Sequence, residues 1–142
     1  MSLGLLSTLL CLSACSAAAS SPPGTRAALP GYDAPAGASA LCDGLAGSVH
    51  FLDIPAAMGE LTAGVGAVDG RSRLAAARGE LRSLVDDLPA GEDPALRAAA
   101  DDVIAALLAV LGPELTDEAR ADVLTSMDEF VAQLQPACGF PA

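Results

Sequence analysis

From residue 39 onward the apolar positions recur every three or four residues, a period that predicts helices. Leu41, Leu45, Val49 and Leu52 make the first stripe. Ser39 is placed to cap it, and Asp53-Ile54-Pro55 ends or kinks it. Met58, Leu61, Val65 and Val68 continue at heptad-like spacing. Gly59, Gly64 and Gly66 weaken this second segment, each costing ~1 kcal/mol against Ala, or else permit close helix contact. The third stripe is Leu74, Ala77, Leu81, Leu84, Val85 and Leu88, with Asp69 as its cap and Pro89 as its stop.

The fourth segment opens at Asp93-Pro94, a cap followed by proline at the first helical position. Leu96, Ala100, Val103, Ile104, Leu107, Leu108 and Leu111 follow, up to Gly112-Pro113. Beyond Asp102 even its outer face is alanine, which predicts a central or partner-facing helix. The fifth starts at Thr116, with Asp117 and Glu118 at the positive helix end. Val123, Leu124, Met127, Phe130, Val131 and Leu134 form its apolar face, and Pro136 closes it. Short polar turns between these helices favour antiparallel neighbours. The first two segments can act as one kinked element.

The N-terminus has a different pattern. Leu3, Leu5, Leu6, Leu9, Leu10 and Leu12 form an apolar run over residues 3 to 12, too short to span a bilayer, which takes ~20 residues. The small residues Ser13 and Ala14 follow, as in a signal peptide. Leu12-Ser13-Ala14-Cys15, ahead of a Ser/Ala/Pro-rich stretch, resembles the lipobox of bacterial lipoproteins. That resemblance covers the first 15 residues and assigns no family to the rest. It implies cleavage before Cys15, a thioether-linked diacylglycerol on Cys15, and a lipid-anchored place on the extracytoplasmic face of the cell membrane. Two acyl chains hold such a protein stably, since each buried CH₂ adds ~0.8 kcal/mol. Met1-Ser2-Leu3-Gly4 lacks the Lys or Arg usual at the start of a signal, so either the amino terminus supplies the charge or the start codon lies upstream. An ordinary signal peptide, cut elsewhere with Cys15 unmodified, is the competing reading.

On the lipoprotein reading, Cys11 leaves with the signal and Cys15 is acylated. Cys42 and Cys138 remain, an even pair in an oxidising compartment, and are expected to form one disulfide. They have no CxxC spacing and no nearby His, which disfavours a metal or redox site. The expected fold class is therefore all-α, an up-and-down bundle of four or five helices closed by one disulfide. The expected organisation is a signal at 1–14, a lipid-anchored linker at 15–38 and a helical domain at 39–142. The linker, with Ser20-Ser21-Pro22-Pro23-Gly24 and Ala34-Pro35-Ala36-Gly37, is too poor in apolar residues to fold. It would hold the domain about 25 Å from its anchor. Ser16, Ser20, Ser21 and Thr25 are candidates for O-linked sugar, against the plainer reading of a bare tether.

Composition narrows the partners. The formal charge is −11, and neither Lys nor Asn occurs in the 142 residues. Ala, Gly, Pro and Arg, residues of GC-rich codons, abound, so the company on signal and composition is that of actinobacterial and other high-GC lipoproteins. The acidity argues against nucleic acid, which needs a positive footprint, and against adhesion to anionic headgroups. Aromatic residues are few, namely Tyr32, Phe51, Phe130 and Phe140, which disfavours stacking sites for sugars or single strands.

No constellation points to catalysis. His50 is the only histidine, and its helical position opposite Leu41, Leu45 and Leu52 faces it to solvent. It has no second ligand at haem or metal spacing and no Ser partner in a G-x-S-x-G motif. Arg71, Arg78 and Arg82 fall on one stripe of the third helix, with Arg73 near them in sequence. Their stems are expected to cover core edges while the heads pair with acids such as Asp86; the sharper reading is a site for an anion or acidic partner. Asp86-Asp87, Asp101-Asp102 and Asp128-Glu129 are adjacent in sequence, so the members of each pair do not face each other on a helix and read as solvated faces. Met58 and Met127 sit at core spacing. The expected function is a non-enzymatic interaction module with an envelope protein partner. The alternative is a carrier holding a small apolar ligand, lipid or haem, between the helices. No cofactor and no metal are expected.

Overall fold

The computed structural model describes residues 32–89, 91 and 93–139. The signal segment, Cys15, the linker up to residue 31 and Phe140 lie outside the described residues. Among the described residues there are six helices, α1 (Ala40–Gly47), α2 (Val49–Leu52), α3 (Ile54–Ala63), α4 (Ala67–Asp86), α5 (Pro94–Val110) and α6 (Asp117–Cys138). Among the described residues there is no strand, and no helix is long and apolar enough to cross a membrane.

The four longer helices follow one another as a bundle. α3 packs on α4, α4 on α5, and α5 on α6, while α1 lies on α4 and α6, and α2 on α4 and α3. Caps made by local sequence set the starts. Ser39 Oγ accepts from Cys42 N–H, Asp93 Oδ1 from Leu96 N–H at 3.0 Å, and Thr116 Oγ1 from Ala119 N–H at 3.1 Å. Each satisfies one of the donors that a helix N-terminus leaves unpaired. Arginines close two C-termini. Arg97 donates to the carbonyls of Val85, in the last turn of α4, and Leu88, just beyond it, at 2.8 and 3.0 Å. Arg71 donates to those of Leu111 and Gly112 beyond α5, at 3.2 and 2.7 Å. Cations placed there also offset the negative end of each helix.

The core runs through all six helices and includes Leu41, Phe51, Leu74, Leu81, Leu107 and Phe130, each at most 1% exposed. Phe51 of α2 and Phe130 of α6 meet edge to face, with ring centroids 5.7 Å apart. That arrangement sets the positive ring edge against the negative face. Cys42 and Cys138 are joined, their Cα atoms 5.4 Å apart, so α1 is bonded to the last turn of α6.

Several elements differ from the sequence reading. The first stripe is not one helix: Ser48 leaves helical geometry, its Oγ accepts from Phe51 N–H at 3.1 Å, and α2 restarts there. Val65 and Val68 do not join the core but stand 82% and 85% exposed. Gly64 and Gly66 take left-handed φ values of 75° and 79°, which end α3 and start α4; Val65 lies in that turn and Val68 in the first turn of α4. α4 is capped at Gly66, and Asp69 lies in its first turn. A Cβ at Gly44 of α1 would meet the Leu84 side chain of α4, and one at Gly70 would lie 2.8 Å from the Ala57 carbonyl oxygen of α3; at Gly59 it would meet open space.

α6 runs through Pro136 to Cys138. A proline near a helix end loses one backbone bond, and this last turn is held by the disulfide and by Gly139, whose N–H reaches the Gln135 carbonyl at 3.0 Å. Packing also begins before residue 39. Tyr32 is 7% exposed and donates its hydroxyl proton to the Cys138 carbonyl, while Ala34 and Ala38 rest on the core. Burial, and secondarily the negative charge of Asp43, raises the Tyr32 pKa above its ordinary value.

Candidate binding groove

The arginines singled out in the sequence do not form one free surface. Arg71 is committed to the C-terminus of α5. Arg78 is half-buried, and its Nε is buried without a hydrogen-bond partner. Arg82 is exposed, 3.9 Å from Asp86 one turn on. An exposed pair at that distance contributes little. The arginine that organises the fold is Arg73, which lies off the stripe of Arg71, Arg78 and Arg82. It is bonded to Asp53 and Glu60, and its Nε lies 3.1 Å from Asp69. Burial opposes the charge on this guanidinium, but the hydrogen bonds and charges of Asp53 and Glu60 outweigh it and raise its pKa. The signal was present in the spacing: Arg73 shares a helix face with Gly70 and Ala77, and Asp69 stands four residues before it.

His50 is also engaged rather than free. Its Nδ1 lies 2.7 Å from Glu80 Oε1, and Ser48 donates to the other oxygen of the same carboxylate. Glu80 thereby fastens the α1–α2 break to α4. Asp86-Asp87, Asp101-Asp102 and Asp128-Glu129 are all exposed. No group of three or more His, Cys, Asp or Glu side chains among the described residues is arranged to hold a metal.

The two cavities of most consequence run together along the gap between α3 and α6. These helices are not among the extensively packed pairs, so the bundle is open along this edge. One cavity, about 410 Å³, has Ile54, Pro55 and Met58 on one wall and Val123, Leu124, Met127 and Val131 on the other. The next, about 530 Å³, shares Met58 and Leu124 and extends to Thr62, Asp117 and Arg120. Three positions that spacing put on apolar helix faces meet here, and only Met58 is fully in the core. Met58 is buried, Met127 partly buried and Leu124 61% exposed, and all three line the same apolar trough. Thioether side chains repack readily and suit surfaces that accept varied apolar shapes.

Polar groups are few and sit at the rim. Asp117 is paired with Arg120. Asp128 lines the cavity with no ion-pair or side-chain hydrogen-bond partner among the described residues. The alanine face of α5 lies elsewhere. Ala105 and Ala109 border a shallow, more polar depression against α6, rimmed by Asp102, Asp122 and Glu129. Sequence spacing placed the groove-lining residues on helix faces but gave no sign of which two helices would leave a gap. No family model matches this chain, and neither the curated proteins nor the solved structures contain a match to it.

Proposed function

We propose that this protein is a non-enzymatic interaction module, held by a lipid on Cys15 at the extracytoplasmic face of the membrane, that binds a protein partner in the groove between α3 and α6. The observation that carries the reading is the groove itself: an apolar trough along the open edge of a bundle whose other helices are well packed. Apolar surface left uncovered at a defined edge is a recurrent mark of an interaction site. The competing arginine surface is weakened because Arg71 and Arg73 serve the fold. The tether rests on the lipobox resemblance of Leu12-Ser13-Ala14-Cys15.

A carrier of a small apolar ligand is the second reading, favoured by the cavity of about 410 Å³, which falls in the size range of small-molecule sites. The partner reading is preferred because the lip is open to solvent at Leu124, whereas a carrier encloses most of its ligand. Haem gains nothing from His50, which is held by Glu80 away from the groove.

Native mass spectrometry of the full chain purified from host membranes separates the two. The module reading expects a mass accounted for by the chain from Cys15 and its acyl groups. An additional small molecule, lost on denaturation, would put the carrier reading in its place. Cys15→Ser is expected to move the chain from the membrane to the soluble fraction, and unchanged membrane retention would overturn the tether.

A further inference from the structure

The chemistry of the two groove walls narrows the partner beyond the reading above, on which this step depends. We infer that the groove takes a short cationic amphipathic helix. Three observations point that way. The floor is apolar and partly thioether, with Met58 and Met127 contributed by opposite walls. Such a floor accepts side chains spaced i, i+3, i+4 and i+7 on a partner helix. The α3 wall is ten residues long, about 15 Å at the helical rise, so it matches roughly three turns of a partner.

Charge then sets the sign. On α6, which forms the other wall, the charged side chains that line the groove are Asp117, Arg120 and Asp128. Arg120 is already paired with Asp117, whereas Asp128 stands at the groove without a partner among the described residues. A basic residue flanking the apolar stripe of a bound helix meets that carboxylate. A fatty acid or an acidic helix would bring a second negative charge to it. The chain's charge of −11 also draws a cationic partner in during encounter.

The test uses the full chain carrying Cys15→Ser, so that no detergent competes for the groove. Two synthetic helical peptides with the same leucine spacing are titrated, one with lysine and one with glutamate at its polar positions, and palmitate is titrated separately. Methyl NMR shifts report the site. The leucine–lysine peptide should move the methyls of Met58, Leu124, Met127 and Val131, and the leucine–glutamate peptide should bind at least tenfold more weakly. Leu124→Arg and Ala132→Arg lie at exposed groove positions and should each weaken the lysine peptide at least tenfold. Asp128→Asn should weaken it about threefold, the size of a partly solvated ion pair.

Equal binding of both peptides overturns the inference. So do shifts scattered over the acidic surface and unaltered by Ala132→Arg. Palmitate moving the groove methyls while neither peptide does so overturns the helical partner but leaves the groove as a site for apolar ligands. If none of the three probes moves those methyls, both the inference and the groove as a binding site fall.

Discussion

Arg73 of α4 and Asp53, at the junction of α2 and α3, form an ion pair whose side chains are 10% and 12% exposed. The same guanidinium holds Glu60 of α3, so one residue fixes both the start and the middle of that helix onto α4. Since α3 is one wall of the groove, this pair also sets where the wall stands. Arg73→Ala leaves Asp53 buried without its counter-ion, and removing one partner of a buried pair costs about 3–5 kcal/mol. Urea denaturation should register that loss. A change below ~1 kcal/mol would mean that Asp53 is readily rehydrated.

Gly70 and Gly59 should respond in opposite ways to the same substitution. Gly70→Ala puts a methyl 2.8 Å from the Ala57 carbonyl, and backbone must move to accept it. Overpacking of that kind costs about 1–3 kcal/mol, more than the helix propensity that alanine returns. Gly59→Ala meets open space on an exposed helix face and should stabilise by roughly 0.5–1 kcal/mol. Thermal melts of the two variants, measured together, check the sign of each.

The Cys42–Cys138 bond closes a loop with a sequence separation of 96 residues. The double variant Cys42→Ala/Cys138→Ala should lose about 2–5 kcal/mol. Hydrogen exchange should rise first in α1 and in the last turn of α6, which contains Pro136 and leans on the bond. Uniform loss of protection across α4 and α5 would contradict this local role.

Tyr32 should make the fold sensitive to alkali. Burial and then Asp43 raise its folded pKa above the unfolded value of about 10, so the folded state keeps the neutral phenol. The contribution is complete below pH 10 and is lost as pH rises through the folded value, when the donor to Cys138 also disappears. Tyr32→Phe should cost about 1 kcal/mol at neutral pH and flatten the alkaline decline in stability. A decline identical to that of the unsubstituted chain would assign it to other groups.

The parts of this fold that were legible are those encoded within one turn of chain. Ser39, Asp93 and Thr116 cap helices by contacting an N–H three residues on, and the stripes from Leu74 to Val85 and from Leu96 to Leu107 face the core as their spacing requires. What depended on distant partners was not legible. The spacing of Leu124 gives it an apolar face but cannot reveal that the helix opposite stands off. Gly70 looks like any weak helix position until the Ala57 carbonyl is known to lie over it. Arg71 and Arg73 are two residues apart, yet one caps α5 and the other anchors α3, a distinction made entirely by tertiary neighbours.

The claim that the groove, and not the arginine face, is the binding surface is tested most directly in living cells. A photoreactive phenylalanine analogue is placed in the full-length chain at Leu124, on the groove lip, or at Arg82, on the exposed side of α4. The account predicts a discrete protein adduct from position 124 that disappears when Ala132→Arg is added, and none from position 82. An adduct from position 82 alone, or one from position 124 that survives Ala132→Arg, would contradict it.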